Sequence, residues 1–271
     1  MLKSIAIKMS KSIVFHSNRL FFKVLRRFLY FLLGNRIKGR IISNAVLSKC
    51  RIKARSNNCV KIGENCILRR MNIQINGINN RIIIDSSCKS KVGLQVIING
   101  SNNVIIISEN TSFYGKPATF RINGSNCKIE IGNDSTINSC FFSCWDDGSI
   151  IKIGNKLDIS HDSSICSMEG KTIAIGSNFF CSYNVEIRNS DSHSILSSQN
   201  TRINPPKDIV IGDSVWVAQG SLILKGSYIA SGCVIGAKSI ITHQFEMENC
   251  IIVGSPAKVT KTDIRWLKDR I

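Results

Sequence analysis

The 271 residues are 43% hydrophobic but only 7% aromatic, so the core must be aliphatic, chiefly isoleucine, and one elongated domain accommodates the length. Eleven cysteines, an odd number with no CxxC and no secretory leader pattern, argue against a disulfide framework and for small buried thiols in a reducing cytoplasm. The net charge of +18 is concentrated at one end: fourteen of the 36 basic residues lie within residues 1–56, and Glu64 is the first acid.

Residues 1–56 therefore read as a basic arm. Within it Leu20–Leu33 (LFFKVLRRFLYFLL) predicts an amphipathic helix, with Phe21, Leu25, Phe28 and Leu32 on one face and Lys23, Arg26, Arg27 and Tyr30 on another. Its apolar run Phe28–Leu33 is far short of the roughly 20 residues needed to span a bilayer. The Arg26–Arg27 pair also interrupts what a leader peptide would need. A basic, Phe-rich helix suits an anionic membrane surface, through residues 1–40. Packing on its own domain or on a sister subunit is the competing use. A cytoplasmic protein is the expectation, peripheral on the inner face of the cytoplasmic membrane where the helix takes the first of these two uses. The Phe/Leu face and the lack of a known motif speak against nucleic acid.

Beyond the arm a repeat takes over. Ile62-Gly63, Ile84-Asp85, Ile107-Ser108, Ile131-Gly132, Ile153-Gly154 and Ile175-Gly176 recur every 22–24 residues. Between them lie INGINN (75–80), INGSNN (98–103) and INGSNC (122–127), where Gly supplies and Asn tolerates positive φ, so these are turns. The period fails between Ile187 and Ile211, and long irregular loops in a compact fold are usually functional.

From Ile211 the chain divides into sixes: IGDSVW, VAQGSL, ILKGSY, IASGCV, IGAKSI. Aliphatic residues hold the first place, and Val215, Ser221, Ser227, Cys233 and Ser239 the fifth; Cys66 and Cys88 stand at the same fifth place after Ile62 and Ile84. Three sixes close a triangular coil of eighteen, and the 22–24 residue steps are eighteen plus a corner turn. Stacked coils bury each other's strand edges. The count comes to about nine coils, with the solenoid over 57–260 and a short C-terminal helix in the tail 261–271.

This pattern resembles the hexapeptide-repeat acyltransferases. The resemblance is most specific over 207–260 and is nearest to the bacterial O-acetyltransferases of capsule and lipopolysaccharide. It rests on Asp191-Ser192-His193-Ser194-Ile195, Arg202-Ile203-Asn204-Pro205, Ile211-Gly212-Asp213-Ser214-Val215-Trp216 and the closing GSPAK. It implies an all-β, left-handed parallel β-helix, a homotrimer, acetyl-CoA as donor and a sugar hydroxyl as carbohydrate acceptor, without metal. A sugar-nucleotide N-acetyltransferase and a non-catalytic scaffold are the rival readings. A zinc enzyme would need converging histidines, and His16, His161, His193 and His243 are scattered.

The resemblance assigns roles within an active-site loop at 188–210. His193 is the general base, since imidazole accepts a proton near neutrality. Asp191 orients it, or else contacts the acceptor or caps the loop. Ser192, Arg202 and Asn204 face the acceptor. Trp216 assists through its indole N–H and contacts the donor. Gly236, Ala237, Lys238, Ser239 and Thr242 line the pantetheine arm, and Ser255, Pro256, Ala257 and Lys258 the nucleotide end. The family often has Thr-Lys where this chain has Thr242-His243, so the phosphates would fall to Lys238 and Lys258.

Overall fold

The computed structural model describes residues 36–43, 45–269 and 271. From Val46 onward the chain repeats one circuit of three short strands, each lying parallel to its counterpart one circuit earlier, to give a solenoid of about nine turns. The first face starts with Val46–Ser48 and Ile67–Arg69 and ends at Ile251–Gly254, closed by the one antiparallel pairing between named strands, with Ala257–Lys261. The second runs through Met71–Asn76 to Ile240–Ile241 and the third through Arg81–Ile84 to Gln244–Phe245, each preceded by part of the long strand Arg51–Ile62.

Alternation along each strand turns one isoleucine-rich row inward. On the second face Ile73, Val96, Phe120, Phe142, Ile165, Ile187, Ile223 and Ile241 stack in unbroken register and are all buried. Phe120 and Phe142 stack at 4.8 Å. Each such side chain contributes roughly 1.5–3 kcal/mol of burial, repeated coil after coil.

At the corner between third and first faces the inward position is a fifth place of the sixes. Cys66, Cys88, Thr111, Ser135, Val215, Cys233 and Cys250 stand there fully buried, with larger Leu157 and Phe179 in the two coils before Val215. The cysteines are packing atoms. Burial pushes the inward thiol of Cys181 up to about 12.

The corner between second and third faces carries the INGxNN turns. Asn58, Asn80 and Asn103 point inward, and the N–H of Asn80 donates to Asn58 Oδ1 at 2.8 Å, that of Asn103 to Asn80 Oδ1 at 3.0 Å. Asn80 and Asn103 also donate through Nδ2 to Gly100 O and Gly124 O, both at 2.9 Å. Gly77 turns at φ 128°, where a Cβ would lie 2.0 Å from Gly100 O, so no other residue fits.

Two expectations need correction. The solenoid pairing reaches back past residue 57: Arg36–Ser43 lies parallel to Arg51–Ile62, around the second and third faces. The basic residues of this stretch belong to strands, which the charge count alone does not reveal. Among its described residues the tail beyond Lys261 is not helical but an extended strap, because its side chains are held individually on the first face. The amphipathic pattern at Leu20–Leu33 lies outside the described residues.

Candidate active site

The second-face strand Glu186–Arg188 ends at the asparagine corner, and the third-face strand Ile209–Ile211 resumes only after a long loop. In the coil before it that corner is the turn at Glu169–Lys171, and in the coil after it the turn at Leu224–Ser227. The loop folds as a hairpin. Leu196 and Arg202 form an antiparallel bridge, and the N–H groups of Ile203 and Ser197 donate to Ile195 O and Thr201 O, both at 2.9 Å. Asn204, 8% exposed, locks its base: Nδ2 donates to Asp191 Oδ2 and His193 O, both at 2.8 Å, and Oδ1 accepts from the Ile195 N–H at 2.7 Å.

Two ion pairs fasten this hairpin to the coils on either side. One coil before, Glu169 takes both arms of the Arg202 guanidinium, the Nη2 contact at 3.0 Å, and accepts from the Ser190 hydroxyl. The Arg202 contact, then the Ser190 one, holds the Glu169 carboxyl well below its usual range, at about 2. One coil after, Lys225 donates to Asp191 and, at 3.2 Å, to Asn204 O. Lys225 and then Asn204 lower the Asp191 pKa.

These bonds decide what each side chain is free to do. His193 is exposed, and its ring has no hydrogen-bond partner among the described residues. Asp191 does not reach the imidazole; it serves Asn204 and Lys225. Arg202 and Asn204 are spent on the loop's own geometry, which is where the expected acceptor contacts differ. Ser192 remains at the surface, with Oγ 3.2 Å from both Arg188 Nη2 and Met168 Sδ.

Trp216 stands elsewhere, on the outside of the first face, in register with Phe180 and Val234. The C-terminal strap lies over it. Trp266 packs 6.0 Å from Trp216 and 6.2 Å from Phe180 and donates to Ser214 O at 2.7 Å, while Lys268 pairs with Asp158. The Trp216 Nε1–H is buried without a hydrogen-bond partner. One chain thus does not join His193 to Trp216.

The expected donor residues divide. Gly236–Ser239 and Ser255–Lys258 lie at the corner of first and second faces, Ala237, Lys238 and Lys258 exposed and Ser239 buried with its hydroxyl taking the Gly254 N–H at 3.1 Å. Thr242 stands at the far end of the strand Ile240–Ile241, in the loop's own corner. Glu169, Lys225 and Trp266 were missed by sequence reasoning. The first two had a legible signal, since MEGK and LKGS are the corner turns flanking the loop.

No protein-family model matches the chain. A polysialic acid O-acetyltransferase of Neisseria meningitidis is 34% identical over 211 residues, 78% of this chain and 86% of that protein. A putative lipopolysaccharide biosynthesis O-acetyl transferase of Escherichia coli K12 is 40% identical over 53 residues, 20% of this chain and 26% of that protein. The crystal structure of the polySia-specific acetyltransferase NeuO superposes with a TM-score of 0.54 at 28% identity, covering 85% of this chain and 82% of that one.

Proposed function

The chain belongs to the left-handed β-helix O-acetyltransferases that include the polysialic acid enzymes, and on that premise we propose that it moves an acetyl group from acetyl-CoA to a hydroxyl of a bacterial capsule polysaccharide. The observation that carries the residue assignment is the His193 imidazole, exposed and unpartnered on a hairpin stapled to both neighbouring coils. Such a group is positioned yet uncommitted, as a general base must be.

The acceptor hydroxyl gives its proton to His193 as its oxygen forms the ester bond to the acetyl carbon. The carbon–sulfur bond breaks, and the thiolate leaves with the pair. Charge gathers on the carbonyl oxygen during this step. An unpaired, buried N–H such as that of Trp216 is suited to the thioester or to that oxygen. Lys238 and Lys258, both exposed, would meet the donor's phosphates.

Because His193 and Trp216 lie on different parts of one chain, the site is completed by a second copy, in a homotrimer with three grooves. The loop is dressed for such a contact: Ile195, Leu196 and Ile203 are 55%, 53% and 61% exposed, and Val210 and Tyr228, paired on the third face, are exposed too. Purified protein with acetyl-CoA and polysialic acid is expected to add acetyl groups seen by mass spectrometry. His193→Ala should fold normally and lose about 10²–10⁴ in turnover. More than a tenth of wild-type turnover in that variant would remove His193 as the base.

A further inference from the structure

The outward side chains of the second face form a surface that the chemistry above does not use. In register along one edge run Asn76, Asn99, Asn123, Trp145 and Met168, and beside them Gln74, Ile97, Arg121, Ser143, Cys166 and Arg188. The first row ends at the catalytic hairpin, for Met168 Sδ touches Ser192 Oγ at 3.2 Å.

Three features of this surface are unusual. Ser143 points outward by register yet is fully buried, because the Trp145 indole lies back along its strand and donates to the Ser143 hydroxyl at 3.2 Å. A large ring is thereby laid along the sheet instead of standing off it. Arg121 lies 6.0 Å from the Phe141 ring, has no carboxylate partner among the described residues, and keeps a buried Nε without an acceptor. Arg188 also has an unsatisfied Nε, although Glu186 stands 3.3 Å from its Nη1. Among described outward positions here, Arg51, Lys53, Arg121 and Arg188 face a single acid, Glu186.

We propose that the second face is a track for an extended, carboxylate-bearing polysaccharide, with Trp145 as a stacking platform and Arg121 and Arg188 as anion contacts, feeding the chain to His193. The proposal rests on the polysaccharide reading above and adds where and how the polymer is held. A pyranose ring has an apolar face that packs on indole, and hydroxyls that suit a ladder of amides. Guanidinium groups match carboxylates geometrically. Coils rise about 4.8 Å each, so Trp145, two coils before the hairpin, lies roughly 10 Å from it along the axis. That is the reach of a polymer and not of a single sugar.

The test measures binding of the full chain carrying His193→Ala to long polysialic acid, to free sialic acid and to neutral dextran. Long polysialic acid should bind most tightly, and less so in salt. Trp145→Ala and Arg121→Gln should each weaken it at least tenfold, Trp145→Phe should keep most of it, and Lys152→Gln on the third face should change nothing. In the enzyme with His193 intact, the first two variants should raise KM for the polymer tenfold while kcat stays within about twofold.

Polymer affinity unchanged in Trp145→Ala and Arg121→Gln, an equal loss for free sialic acid, or equal binding of dextran would each overturn the track. Should Trp145→Ala misfold, Arg121→Gln and Trp145→Phe decide. If polymer binding depends on Trp145 while no saccharide is acetylated, the track stands and the transferase reading falls. If acetylation proceeds with an unaltered KM in these variants, the track falls alone.

Discussion

Replacing Glu169 by Gln should loosen the catalytic hairpin without loosening the solenoid. The substitution leaves a hydrogen-bonding amide of the same size but removes the charge facing Arg202. A carboxyl held at about 2 instead of 4.5 corresponds to about 3.4 kcal/mol at 1.36 kcal/mol per unit. Glu169 and Arg202 retain 25% and 29% side-chain exposure, so solvent screening reduces this to about 1.5–2 kcal/mol. At 1.4 kcal/mol per decade, hairpin opening becomes about 10–30 times more frequent. Hydrogen exchange at neutral pH should then show faster exchange of the Ile195 and Ile203 amides, and kcat/KM should fall about tenfold as His193 loses its position. The depressed carboxyl contributes fully above pH 4.5 and loses its effect as pH falls through 2, so pepsin cleavage within 190–207 should converge for the two proteins across that window. Loop exchange within twofold of wild type would refute the staple. So would protection lost across all coils, since the pair would then support the solenoid as a whole.

Trp216→Phe should cost less turnover than Trp216→Ala if packing against Phe180 and Trp266 matters; equal losses would single out the N–H. Co-refolded His193→Ala and Trp216→Ala chains should regain activity if the two side chains meet across a subunit groove, and mixed trimers that stay inactive would refute the shared groove. Asn80→Ala strands the Asn103 N–H and the Gly100 carbonyl in the buried corner, at about 2–4 kcal/mol, visible as a fall in Tm. A fall under 1 kcal/mol would mean water replaces the amide.

The repeat was legible because the same requirement recurs in every coil. A stacked row accepts one kind of side chain, so Ile62 and Ile84, or Cys66 and Cys88, announce each other at a fixed spacing. The hairpin was legible as a failure of that spacing. What filled it was not. Glu169 and Arg202 lie 33 residues apart and Asp191 and Lys225 lie 34 apart, spans set by the coil length plus the loop's own length, so no local pattern links them. The resemblance gave Arg202 and Asn204 to the acceptor because a motif carries residue identities and not whether they face a ligand or the loop itself. The strap escaped for the same reason: Trp266 meets Ser214 across 52 residues. The start of the solenoid was hidden by charge, since Arg51 and Lys53 are ordinary outward strand positions.

The asparagine corner gives the chain a place where length is free. Inserting residues within a strand would turn every following side chain to the wrong side, whereas a corner can grow outward and return to the next strand in register. Coil above and coil below meet whether the corner spends four residues or twenty, as the pairing of Ile173 with Ile209 demonstrates. Chemistry and architecture are therefore separable in this protein. The periodic prism is a neutral support that could be kept while the hairpin at one vertex is exchanged, shortened to a turn like Leu224–Ser227, or enlarged. New specificity within such a lineage would be sought at that vertex first, because change there leaves the hydrophobic stack untouched.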